Sequence, residues 1–403
     1  MTRTERTYLL VFGGYNLAQF FIAPVYPLFL LRCGLDLFQI NVVLATYLVT
    51  VFVLEIPTGA FADRYGRRRS FLVSCWVRAF AYGLYARADS FADCLVAEMI
   101  DALGTTLASG ALEAWAVDGV RAEGDARPAD RLIARANVVS RAAVIVGVVA
   151  CGYLADPDLV RPWLVAMAVF VVTAVVAAVT MREAPSGTIS AAHPRRALHH
   201  AVREDVGSVV ANPVLLLLCV LTAAGAFAGF PLHMYWAPQL QAVSGAGPEL
   251  LGWVAALLNL AALVGSAVLP RLLVRARRST VLAAAACWRA AMLALAAAAT
   301  SLSPMLAGLV LQETTFGLTE PVLAGWTNEH VPSERRATLL SVRSTFFTLG
   351  GAAGLVAIGL VGRGAGVPTA WAASAAVFAA IVPGYLLLER VARRISTAAT
   401  VPA

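Results

Sequence analysis

Twelve long apolar runs constrain this chain before any motif is read. They cover residues 8–31, 38–61, 70–88, 91–119, 136–155, 163–180, 214–237, 250–269, 279–300, 305–327, 337–361 and 370–388. A helix needs about 20 mostly apolar residues to cross a bilayer, and each run is near or above that length. In hydrocarbon a backbone must satisfy its own hydrogen bonds, which leaves helices and closed barrels. The runs are continuous and lack the alternation of barrel strands, so the expected fold class is an all-α polytopic membrane protein. Composition agrees: 60% of the residues are hydrophobic and 14% charged, a balance that excludes an ordinary soluble domain.

The basic residues, all arginines, set the orientation. Arg3 and Arg6 precede the first run. Clusters then fill every second loop: 64–69, 121–135, 182–203, 271–278 and 335–336, with Arg390, Arg393 and Arg394 after the last run. The other loops hold Arg32, Arg87, Arg161 and Arg363. Positive residues stay in the cytoplasm, so both termini and the even loops are expected there, in a plasma (inner) membrane. Arginines spread over short loops do not make a nucleic-acid face, and no nucleic acid is expected. The segment before the first run is short and polar, and that run is too long for a signal h-region.

No metal and no cofactor are expected, because no cysteine or histidine set has ligand spacing. His199–His200 in the longest loop reads as part of a solvated linker. Cys33 and Cys94 lie near the outer ends of their runs, and a disulfide between them is left open. There is no phosphate-cradling glycine loop and no nucleophile motif, so the chain is not read as an enzyme.

The loop after the second run reads GAFADRYGRRR over residues 59–69. It resembles the signature loop of the major facilitator superfamily of secondary transporters, with Gly59, Asp63, Arg64, Gly66, Arg67 and Arg68 at the matching places and Phe61 where leucine is usual. The halves also look like copies. Cys75-Trp76-Val77-Arg78 answers Cys287-Trp288-Arg289, and Trp115 with Asp118 answers Trp326 with Glu329. The resemblance implies twelve transmembrane helices in two six-helix bundles related by a pseudo-two-fold: residues 1–181, a cytoplasmic linker 182–212, and residues 213–403. It also implies a gate. Asp63 would face the positive amino end of the eleventh helix near residues 337–340, and Arg67 would pair with Asp118. Two features differ from the family's drug–proton antiporters: Ile100 stands where their fourth helix has arginine, and no proline follows Gly147 and Gly152.

Ionisable groups inside apolar runs are costly and need a reason. Arg78 and Arg289 occupy equivalent repeat positions near mid-helix. Each is expected to meet an acid on the next helix, Glu98 or Asp101 for the first and Glu313 for the second. Glu98 and Asp101, three apart, share a helix face, and two like charges so close favour a proton on one of them. They are the first candidates for proton coupling. Glu313 and Glu320 share another face, with Glu320 at an expected Pro321 kink. Glu55 is expected to pair with Arg141; Glu113 and Arg343 complete the set. Tyr15, Asn16 and Gln19 in the first run, with Phe230, His233 and Asn259 in the second half, are the expected cavity residues. Tyr235 and Trp236 read as an interfacial belt.

The function expected from the resemblance is alternating-access transport of a small organic substrate by a monomer in the lipid bilayer, coupled to protons and directed outward. Import by symport or uniport, and a non-transporting sensor on the same fold, are the alternatives.

Overall fold

The computed structural model describes residues 1–123, 129–156, 158–182, 212–330 and 336–399, with the backbone alone at 129–130, 327–330, 336–340 and 392–399. Most of the described residues are helical, with no strand among them. In chain order the helices are α1 Arg3–Phe21, α2 Tyr26–Arg32, α3 Leu37–Tyr65, α4 Arg67–Tyr85, α5 Phe91–Ala108, α6 Ala111–Ala122, α7 Ala129–Ala155 and α8 Arg161–Thr180. Then come α9 Pro213–Ser244, α10 Pro248–Arg275, α11 Arg278–Ala298, α12 Leu302–His330 and α13 Arg336–Ala399.

By length and apolarity, eight helical stretches among the described residues can cross a membrane, or nine when α1 and α2 count as one bent span. The twelve apolar runs fall largely on helix, but the match to twelve separate rods is approximate. The first run, expected to be continuous, bends by 41° between α1 and α2. Pro24 in the break has no N–H to give, and Pro27 sits in the first turn of α2, where its fixed φ suits a helix start. The fourth run is split between α5 and α6 by Gly110 at φ 69°. The last two runs are joined in α13 and part at Gly366, whose backbone (φ 82°, ψ 169°) is not helical.

Local chemistry explains several boundaries. Asp36 opens α3 with a capping box: its carboxylate accepts from the N–H groups of Phe38 and Gln39 at 2.8 Å, and Gln39 accepts from the Asp36 N–H at 2.9 Å. Ser90 caps α5 by accepting from the Asp93 N–H. Gly66 closes α3 and opens α4 at φ 94°, ψ 148°, a backbone that L-residues avoid. Gly66 is therefore the break between two helices that are nearly continuous in sequence.

The chain divides into two compact units. One is Met1–Ala192 with Gly245–Ala256; the other is His193–Ser244 with Leu257–Ala403. In the first, Trp253 Nε1 donates to the Tyr153 hydroxyl at 3.1 Å. The linker expected over 182–212, including His199 and His200, lies outside the described residues from 183 to 211.

Candidate functional site

The first unit holds a polar seam between α4 and α5. On α4, Ser70, Ser74 and Arg78 recur every fourth residue and so lie on one face. On the antiparallel α5 they meet Leu107, Gly104 and Asp101. Ser70 Oγ donates to the Leu107 carbonyl and Ser74 Oγ to the Gly104 carbonyl, both at 2.6 Å. Arg78 donates from Nε to Asp101 Oδ1 at 2.8 Å and from Nη2 to Oδ2 at 2.9 Å. Gly104 lets the helices come this close: a β-carbon there would overlap Arg78 Cγ and lie 3.3 Å from the Ser74 carbonyl oxygen.

Arg78 is fully committed. Nη1 donates to the Tyr15 hydroxyl at 3.1 Å and to Gln19 Oε1 at 2.8 Å, and Nη2 also reaches the Tyr82 hydroxyl at 3.5 Å. Those bonds and the two to Asp101 use all five N–H donors of a guanidinium. The guanidinium also lies over the rings of Phe170 at 4.8 Å and Tyr15 at 5.3 Å, contacts worth more once water is excluded. Arg78 and Asp101 side chains are 2% and 9% exposed. A buried pair survives such burial when its geometry is good and its remaining hydrogen-bonding groups are matched.

Arg78 thus takes Asp101, not Glu98. Glu98 is buried and accepts from the Tyr85 hydroxyl. Tyr85 stacks on Trp163 at 4.1 Å between ring centres, and its hydroxyl lies 3.4 Å from that of Tyr26. Among the described ion pairs Glu98 has no cation, so its charge can change without breaking one.

The second unit repeats this arrangement imperfectly. Arg289 on α11 does not pair directly with Glu313. Its Nε donates to Gln312 Oε1 at 3.0 Å, and Gln312 Nε2 donates to Glu313 Oε1 at 2.7 Å. Gln312 follows Arg289 at the separation by which Asp101 follows Arg78; the acid has moved one residue along, and an amide stands between the charges. The repeat offset was the sequence signal that would have found Gln312. The Arg289 guanidinium lies over Phe378 at 4.5 Å. Arg343 Nη2 donates to Glu320 at 3.5 Å, and α12 continues through Pro321 without leaving helix.

Of the expected cavity residues, Tyr15 and Gln19 lie at the Arg78 centre. Tyr15 is buried on Arg78, Gln19 is bound to it, and the Asn16 amide donates to its own helix at Phe12 O. Phe230 is half-buried, His233 exposed and Asn259 half-buried. Phe230 lies 5.3 Å from Phe347 and 6.3 Å from His233, ring to ring. Tyr235 and Trp236 are both buried and form no interfacial belt: the helix packs there, and the Tyr235 hydroxyl donates to the Gly359 carbonyl at 3.5 Å.

At the Gly66 end, Arg67 pairs with Asp118 on α6, and Arg68 donates to the Ala178 carbonyl in the last turn of α8 at 2.6 Å. The Arg64 guanidinium sits 5.4 Å from the Tyr65 ring. Asp63 is exposed, and a β-carbon on Gly59 would meet nothing within 4 Å. The side chains at 337–340, expected opposite Asp63, lie outside the described residues. Glu55 and Glu113 are exposed, and no Glu55–Arg141 pair is among the described ion pairs; Arg135 instead holds Glu5 at 2.6 Å. Cys33 and Cys94 are free thiols. In a loop at the other end, Arg32 pairs with Asp158 at 2.5 Å. The Val160 N–H, then Arg32, hold the Asp158 carboxyl below the usual carboxylate range. Among the described residues no group of three or more potential ligands is placed to hold a metal.

The family model described as Major Facilitator Superfamily matches residues 8–276 and 238–401. The chain is 27% identical over 254 residues to the uncharacterized MFS-type transporter YxaM of Bacillus subtilis (strain 168), a match covering 62% of this chain and 61% of the relative. The match therefore spans under two thirds of that protein. Among solved structures, the nucleoside transporter NupG superposes with a TM-score of 0.80 at 12% identity, over 96% of this chain and 99% of that one. A bacterial homolog to the human lysosomal transporter Spinster gives 0.79 at 15%, over 96% of each chain. A D-xylose-proton symporter gives 0.71 at 14%, again over 96% of each. Identities this low show a shared fold.

Proposed function

This chain belongs to the Major Facilitator Superfamily, and from that membership we propose that it is a secondary transporter moving a small organic molecule across the plasma membrane by alternating access, with proton-coupled efflux. The observation that carries the coupling is the ionic centre of the first unit. Asp101 is bound at both oxygens by Arg78, while Glu98, one helical turn away, faces a phenol rather than a cation. Moving a proton on or off Asp101 would disrupt a desolvated ion pair, which is expensive. Glu98 is the carboxyl able to carry it. A change of charge there alters the hydrogen bond to Tyr85, and Tyr85 lies against Trp163 and Tyr26, so protonation is felt in how α2, α4, α5 and α8 pack.

In this reading Gly59, Asp63, Arg64, Gly66, Arg67, Arg68 and Asp118 form the gate. Gly66 is the hinge, the Arg67–Asp118 pair fixes α4 to α6, and Asp63 is the exposed carboxylate of the same loop. Buried charges and a charged hinge are costly in a scaffold and useful in a device that changes state. The proposed working form is a monomer with both termini in the cytoplasm.

The experiment is flux in proteoliposomes containing the purified full chain, with a pH gradient imposed in either direction over a panel of labelled organic compounds. Gradient-driven movement of a compound against its own concentration supports the proposal. Movement insensitive to the gradient reduces the protein to a uniporter, and no movement of any compound by correctly inserted protein overturns transport.

A further inference from the structure

The two repeat arginines differ in what they leave unused. Arg78 has an acceptor for each of its five N–H groups. Arg289 has one described hydrogen bond, from Nε to neutral Gln312. Its two terminal nitrogens, with four N–H donors, have no described acceptor, and its side chain is half-buried. A guanidinium whose outer fork has no acceptor among the described residues, which meets Glu313 only through the Gln312 amide and which lies on the ring of Phe378, is built for a planar oxyanion, taken by two parallel hydrogen bonds.

Gly229 on α9 lies beside the fork: outside its own helix, a β-carbon there would come to 3.8 Å from Arg289 Nη2 and to no other atom within 4 Å. His233, one turn on from Gly229, shares its face, and Phe230 packs against His233 with ring centres 6.3 Å apart. Phe347 on α13 stands against Phe230. A charged fork beside an aromatic wall matches a molecule with a carboxylate at one end and a flat apolar body at the other.

We infer that Arg289 is the substrate-anchoring residue, and that the transported molecule is an aromatic or similarly flat carboxylate whose anionic end sits on the Arg289 fork in the gap at Gly229 and whose body lies along Phe230 and Phe347. This rests on the transport reading above, of which it names the substrate class. Glu313 stands beyond the Gln312 amide and opposes the anion. Its role is to keep the fork from holding the substrate too tightly, so Glu313 and Arg289 act on affinity with opposite sign.

That opposition is the test. Purified full-length protein is titrated with phenylacetate, its neutral counterpart phenylacetamide and the cation phenethylammonium, reading the ligand-induced rise in Tm; the same probes compete for flux in proteoliposomes. Phenylacetate is expected to bind and the other two to bind far more weakly. Arg289→Gln should weaken phenylacetate by about tenfold or more, and Glu313→Gln should leave it equal or tighter. Gly229→Ala, whose added methyl meets the arginine at ordinary contact distance, should weaken phenylacetate with little change in the ligand-free Tm. The inference is overturned if none of the probes binds, if phenylacetamide or phenethylammonium binds as well as phenylacetate, or if Glu313→Gln abolishes binding while Arg289→Gln spares it. Binding of phenylacetate with no flux of it or of any compound in the panel would sink the transport reading and keep the site; gradient-driven flux of the cation alone would do the reverse.

Discussion

Arg78 and Asp101 face each other through two parallel hydrogen bonds of 2.8 and 2.9 Å, from α4 to α5, in a site nearly closed to solvent. Removing one partner of such a pair leaves the other charge buried and uncompensated, at a cost of about 3–5 kcal/mol. Asp101→Asn should therefore lower thermal stability in detergent sharply. Arg78→Met with Asp101→Leu should recover much of the loss while abolishing transport. A double variant no more stable than the single one would show that the pair is not held as a unit.

Gly104 tests the same seam by packing alone. A methyl at this position overlaps Arg78 Cγ, so Gly104→Ala should cost about 1–3 kcal/mol through overpacking. Since it removes no charge, its cost should not change with ionic strength. Unchanged unfolding for this variant would mean that α4 and α5 separate more readily than their hydrogen bonds suggest.

For Glu98 the expected signature is kinetic. Glu98→Gln keeps the size of the side chain and can still accept from Tyr85, but cannot ionise. Flux driven by a pH gradient should disappear, whereas exchange of labelled for unlabelled substrate at equal concentration, which needs no net proton movement, should persist. Loss of both activities would assign Glu98 to structure.

Asp63 is exposed, and among the described residues it has no ion-pair partner. Asp63→Asn should accordingly change stability by no more than about 0.5 kcal/mol. If the carboxylate belongs to the gate, flux should nonetheless fall by about tenfold or more, a barrier rise of roughly 1.4 kcal/mol, with insertion unchanged. Wild-type flux in this variant removes Asp63 from the gate.

Asp158 gives a stability effect with a defined sign. Its folded carboxyl lies below the ordinary range because the Val160 N–H and Arg32 favour the charged form. A lowered folded value contributes stability that is complete above the unfolded value of about 3.9 and is lost as pH falls through the lower folded one. The protein should therefore lose part of its stability below about pH 4, and Asp158→Asn should flatten that part of the profile. The pair is solvent-exposed, so the effect should be small and weaken with salt.

The sequence by itself determined that this chain is a bundle of membrane-length helices. It also located the loop 59–69, the repeat that pairs Arg78 with Arg289, and the helix each buried charge occupies. Those are matters of run length and period, and hydrocarbon permits few answers. Tertiary structure decided which partner each charge takes. Glu98 and Asp101 share a face at one-turn spacing, and only the rotation of α4 against α5, set by Ser70, Ser74 and Gly104, gives Arg78 to Asp101 and leaves Glu98 to Tyr85. Likewise, the acid next to Gln312 looked like the partner of Arg289, but a one-residue step turns a side chain about 100° around a helix. The amide therefore meets the arginine while Glu313 stands behind it. Period fixes which residues lie on a helix face; the packing of the neighbouring helix fixes which of them are within bonding distance.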